Sequence, residues 1–67
     1  MDVHARLGQN VRRLREAAGW SQEAYADEAG IHRTYVSDIE RGRRNPTISV
    51  LQKMANPFKV TPGSLLD

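Results

Sequence analysis

The chain has 67 residues, with 10 Lys and Arg against 8 Asp and Glu, a net charge of +2 and no cysteine. That length gives one domain with a modest core. The lack of cysteine rules out disulfides and zinc–thiolate sites, and His4 and His32 are too few for a metal centre. No apolar run approaches the ~18 residues of a membrane span, and the charged opening stretch is unlike a secretory leader, so the expected compartment is cytoplasmic.

Asp2 is placed to cap a first helix. Val3, Leu7, Val11, Leu14 and Ala18 recur at steps of three or four, which predicts an inward stripe ending at Gly19. Gly8 inside that helix costs ~1 kcal/mol relative to Ala, a cost that a close helix contact would explain. Trp20 reads as a core anchor between the first two helices. Ser21 then caps Gln22–Ala29, and Gly30 stands where a helix usually ends with positive φ. Ile31 restarts the apolar pattern. A second short helix runs from Arg33 to Arg41 and ends at Gly42. Ala26 is small where two crossing helices approach, and Val36 and Ile39 repeat at helical spacing. Two short helices around a tight turn are helix-turn-helix grammar.

The loop Arg43-Arg44-Asn45-Pro46 follows. Thr47 caps a fourth helix that carries Ile48, Leu51, Met54 and Ala55 inward. Pro57 disfavours a helical residue before it and offers no N–H, so this helix is expected to kink or stop near Asn56. Phe58 and Val60 read as core. Thr61-Pro62 opens a short last helix through Leu65 and Leu66.

The second motif helix carries the chemistry. At about 100° per residue, Arg33, Thr34, Ser37, Asp38 and Arg41 share one face, while Val36 and Ile39 share the other. Tyr35 falls at the border, as a packing residue or a contact. An α-helix fits the DNA major groove, and the first residues of such a helix reach deepest. Arg33 and Thr34 are therefore the leading base readers, with Ser37 and Asp38 one turn on. Arg suits guanine through two parallel hydrogen bonds, and Thr34 has a methyl for thymine. Gln22 starts a helix, where free N–H groups attract phosphate. Arg6, Arg12, Arg13 and Arg15 crowd the first helix, whereas Glu23, Asp27 and Glu28 form an acidic patch. No activated nucleophile and no phosphate-binding glycine loop is present, so no enzyme and no cofactor is expected.

Gln22, Ala26, Gly30, Ile31, Val36, Ile39 and the run R-T-Y-V-S-D-I-E-R-G from Arg33 to Gly42 resemble the phage repressor and Cro family of helix-turn-helix proteins. Short controller proteins of restriction–modification systems carry a similar R-T-Y run. The resemblance spans about Leu7 to Leu66. It implies an all-α, five-helix, lambda-repressor-like domain that binds double-stranded DNA and regulates transcription. It gives Gln22 a phosphate contact and runs the loop holding Arg41, Arg43, Arg44 and Asn45 along the phosphates. It pairs Arg15 with Glu40 as an internal ion pair. His32 replaces the Ser, Thr or Asp cap common in the family, which weakens that cap and brings an imidazole towards a phosphate. Tyr25 stands where the family usually has Leu and reads as core with its hydroxyl near the surface, and Asn56-Pro57 interrupts a helix that relatives continue. In phage repressors that also activate, acidic residues matching Glu23 and Asp27 touch RNA polymerase. One recognition helix reads only a few base pairs, so a homodimer is expected, with Val60, Leu65 and Leu66 as its contact. The alternatives are an autorepressing antitoxin that also binds a toxin, and a protein-interaction module that has lost DNA binding.

Overall fold

The computed structural model describes residues 2–67. Four α-helices form where caps and apolar spacing place them: α1 (Val3–Ala17), α2 (Gln22–Ala29), α3 (Arg33–Glu40) and α4 (Ile48–Ala55). Two 3₁₀ segments follow, Asn56–Phe58 and Pro62–Leu66. The short last helix is thus 3₁₀ rather than α. There is no strand, and no helix long and apolar enough to cross a membrane, among the described residues.

Each α-helix starts on a side-chain cap. The oxygens of Asp2, Ser21 and Thr47 accept the backbone N–H of Ala5, Ala24 and Val50, and Thr61 does the same for Ser64 ahead of the last 3₁₀ turn. The helix ends share one geometry. At Gly42, φ is 72°; its N–H donates to Ile39 and the N–H of Arg43 donates to Asp38. These two bonds satisfy carbonyls the helix would otherwise leave open. The last such end falls on Lys59, at φ 57°, with the N–H of Lys59 on Asn56 and that of Val60 on Ala55. A left-handed residue carrying a side chain is strained relative to glycine. The expected stop at Asn56 is present, as a change from α to 3₁₀ after Ala55.

The core joins Leu7 and Val11 of α1, Tyr25, Ala26 and Ala29 of α2, Val36 and Ile39 of α3, Met54 and Ala55 of α4, and Leu65. Four apolar positions expected to point inward or to lie free do otherwise. Val3 is 49% exposed and Ile48 is 84% exposed, because the first turns of α1 and α4 project past their neighbours. Ala18 is exposed just beyond the end of α1. Leu65, expected on a dimer surface, is fully buried, because Asn10 holds the last turn against α1. The Asn10 amide donates to the carbonyls of Leu65 and Asp67, both at 2.9 Å.

The close contact behind Gly8 is real. A Cβ there would lie 2.5 Å from the Ile39 carbonyl oxygen and 2.8 Å from that of Glu40. Backbone atoms of α3 therefore fill the space where a side chain would stand, and α1 seats directly on α3.

The aromatic residues form a second packing centre. Trp20 is half-buried, with its ring centroid 6.1 Å from Tyr25 and 5.9 Å from Phe58; Tyr25 stacks on Phe58 at 4.8 Å. The Tyr25 hydroxyl, expected near the surface, is buried and donates to the Met54 carbonyl at 2.7 Å. Burial, and after it the charge of Glu40, push the Tyr25 phenol above the ordinary tyrosine range.

Candidate nucleic-acid interface

The apolar side of α3 anchors the element: Val36 and Ile39 are 0% and 1% exposed. Its other side is open. Arg33 and Thr34 are exposed at its start, Ser37 and Asp38 are half-buried one turn on, and Arg41 is exposed as the C-terminal cap. Arg43, Arg44 and Asn45 continue as an exposed loop. Tyr35 is half-buried and packs against the core from the border.

Beneath this face lies an ion pair with three helices on it. Arg15 donates to Glu40 twice, from Nε at 2.6 Å and from Nη2 at 3.0 Å, and from Nη1 to the Trp20 carbonyl at 2.8 Å. The side chains are only 11% and 6% exposed. The Glu40 carboxylate, by hydrogen bond first and by charge as well, raises the pKa of the Arg15 guanidinium and keeps it charged. Gln22, half-buried at the first turn of α2, donates its amide to Glu40 Oε1 at 3.1 Å. The pair thus ties α1, the start of α2 and the end of α3 into one frame. Gln22 stands at the helix start as expected, with one amide hydrogen committed inward.

Two contacts on the outer face were not legible as motifs. Arg44 lies over the Tyr35 ring, 4.5 Å from its centroid, and its Nε is 3.5 Å from Asp38 Oδ2. A guanidinium stacked by its face keeps donors on its edge. The loop arginine is therefore held beside α3. The signal in the sequence was the spacing of Tyr35, Asp38 and Arg44, which becomes visible only once the turn at Gly42 folds the loop back. The second contact is the cap. His32 Nδ1 accepts the Thr34 N–H at 3.1 Å and also lies 2.8 Å from Thr34 Oγ1, so the imidazole does the work expected of Ser, Thr or Asp.

The acidic residues keep to a neighbouring surface. Glu23, Asp27 and Glu28 are exposed on α2. Glu23 and Asp27 share a shallow polar hollow with Ala26, Ile31, His32 and Arg33. Of the first-helix arginines, Arg12 is paired with Glu16 within α1.

An all-helical fold with a short exposed polar helix on a buried apolar face, beside a basic loop, defines the class of protein. A family model described as Helix-turn-helix matches residues 11–65, and the chain belongs to that family. It is 42% identical over 67 residues to the control protein C.BamHI of Bacillus amyloliquefaciens, covering 98% of this chain and 83% of that one. The crystal structure of the restriction-modification controller protein C.AhdI from Aeromonas hydrophila superposes with a TM-score of 0.86 at 39% identity, covering 92% of this chain and 94% of the other. The structure of SinR, the master regulator for biofilm formation, in complex with DNA superposes with a TM-score of 0.85 at 35% identity, covering 91% and 98%.

Proposed function

We propose that the chain is a single-domain, sequence-specific double-stranded-DNA-binding regulator of transcription, with α2 and α3 as its helix-turn-helix and α3 seated in the major groove. One observation carries the reading: α3 is fixed from behind by Val36, Ile39 and Glu40, while Arg33, Thr34 and Arg41 are exposed on its outer side. A recognition helix needs a rigid back and a front of hydrogen-bonding side chains. Arg33 and Thr34 read base edges, with Ser37 and Asp38 behind them. Arg41, Arg43, Arg44 and Asn45 meet phosphates, as do Gln22 and the N–H groups at the start of α2. The exposed arginine loop weighs against a module that has lost DNA binding.

The active form is a homodimer. Half-sites lie one helical turn, ~34 Å, apart, and the longest extent of this chain is 27 Å. One copy does not span two such sites; two copies do. The contact is an apolar groove lined by Val3, Leu7, Pro46, Ile48, Leu51 and Leu66, which replaces the buried Leu65 as the self-association surface. Selection of bound duplexes from a random pool tests the whole reading. A two-fold motif with half-sites about one turn apart is expected. Recovery of no enriched sequence would refute it.

A further inference from the structure

We propose that His32 sets the hydrogen-bond polarity of Thr34, and so the base preference at the start of α3, through its own protonation. This rests on the DNA-binding reading above and adds a residue that controls what one reader recognises.

His32 has extended backbone, φ −77° and ψ 145°, which folds its ring over the first turn of α3. Its Nδ1 accepts the Thr34 N–H and therefore carries no proton in this arrangement. Thr34 Oγ1 is 2.8 Å from the same nitrogen. Two acceptors at that separation need a hydrogen between them, and here only the Thr34 hydroxyl supplies one. The single O–H donor of Thr34 is thus turned to the ring. What Thr34 shows to solvent is its methyl and the lone pairs of Oγ1. In this state it pairs with base-edge donors, the N6 amino group of adenine or the N4 amino group of cytosine.

A proton taken up from solvent at Nδ1 reverses the arrangement. The Nδ1–H then donates to Oγ1, the hydroxyl hydrogen is released, and Thr34 becomes a donor. Its partners are then acceptor edges: N7 and O6 of guanine, N7 of adenine or O4 of thymine. The Thr34 N–H loses its acceptor in the same step. Imidazole is the side chain whose charge ordinarily changes between about pH 5 and pH 8. The charged groups sharing the hollow with the ring are Glu23 and Asp27 from α2 and Arg33 from α3.

The test uses the full chain and duplexes varied at one base pair, the one whose discrimination is lost in Thr34→Val. Affinities are measured at about pH 8 and about pH 5.5 at fixed ionic strength, in wild type and in His32→Asn. Asn is a favoured cap whose carbonyl accepts the Thr34 N–H and hydroxyl alike without titrating. In wild type, the ratio of affinities for cytosine, which shows only a donor, over guanine, which shows only acceptors, at the contacted position is expected to fall about tenfold on acidification, the scale of one hydrogen bond. In His32→Asn the ratio should hold its high-pH value throughout. His4 stays in place in that variant and so cannot account for the difference. An unchanged ratio in wild type overturns the proposal without reference to any variant, and so does a shift that persists in His32→Asn. Failure of wild type to bind any duplex would bring down the DNA-binding reading as well; binding with unmoved preference would bring down this inference alone.

Discussion

Glu40 takes three hydrogen bonds in a nearly dry site, two from Arg15 and one from Gln22. It is the last residue of α3, so its carboxylate fixes the end of the proposed recognition helix against α1. Burying two charges costs desolvation that the pair itself only partly offsets, so the pair is better read as a positioning device than as a source of net stability. Loss of one member is another matter. Glu40→Ala leaves the Arg15 guanidinium enclosed with only the Trp20 carbonyl as partner, and is expected to destabilise the fold by ~3–5 kcal/mol. Denaturant unfolding of wild type and variant measures this; a loss below about 1 kcal/mol would place the pair among exposed ones. The pairing of Arg15 and Glu40 followed from family resemblance. The third partner, Gln22, did not, because the amide reaches Glu40 only after α2 has crossed α3. Tyr25 shows the same limit. Its ring was legible as core, yet its hydroxyl finds the Met54 carbonyl, a partner in another helix that only the packing of α2 on α4 brings within reach.

Among the elements, caps and stops were the most legible features, since each is local: one side-chain oxygen before a helix, one left-handed residue after it. The sequence therefore placed all four α-helices to within about a residue or two of their ends. The inward stripe was legible in the middle of each helix and failed at the ends. Periodicity names a direction, and whether a neighbour stands in that direction depends on how far each helix overhangs; Val3, Ala18 and Ile48 overhang. The 3₁₀ character of Pro62–Leu66 was hidden as well, because a capping Thr followed by Pro starts either kind of turn. Lys59 offers a direct check on the helix-end argument. It takes the left-handed position that glycine fills at the ends of α1, α2 and α3. Lys59→Gly removes that strain at the cost of a freer unfolded chain, with a net gain of up to ~1 kcal/mol. An upward shift of the denaturation midpoint is expected, and a fall of the same size would show that the Lys59 side chain makes a contact worth more than the strain.

At the scale of the whole molecule, two surfaces share the proposed work: the outer side of α3 with its arginine loop, and the apolar groove where α1, α4 and the last turn meet. Ile48, at 84% exposed, is the most open large apolar side chain of the groove. Ile48→Lys is expected to leave the monomer folded, since the side chain is largely exposed and adds little to the core of its own chain. It should convert a dimer to a monomer by sedimentation and lower operator affinity at least tenfold. A variant that stays dimeric would move the self-contact elsewhere. The groove was missed in the sequence because Ile48 falls on the inward stripe of α4 by spacing alone.

The central claim is that α3 reads while the loop grips, and a pair of arginines separates the two. Arg33 stands exposed at the start of α3; Arg44 is held on Tyr35 and Asp38 with about half of its side chain open to solvent. Binding of the selected site and of random duplex is measured across a salt series for Arg33→Ala and Arg44→Ala. Loss of a base contact costs ~1–3 kcal/mol on the selected site alone, whereas loss of a phosphate contact weakens every duplex and lowers the salt slope by about one. Arg33→Ala should therefore lose discrimination at one base pair yet still hold random DNA, and Arg44→Ala should weaken both duplexes in parallel. Full discrimination retained by Arg33→Ala, or the same behaviour from both variants, would contradict the account and move the reading role to Thr34, Ser37 and Asp38.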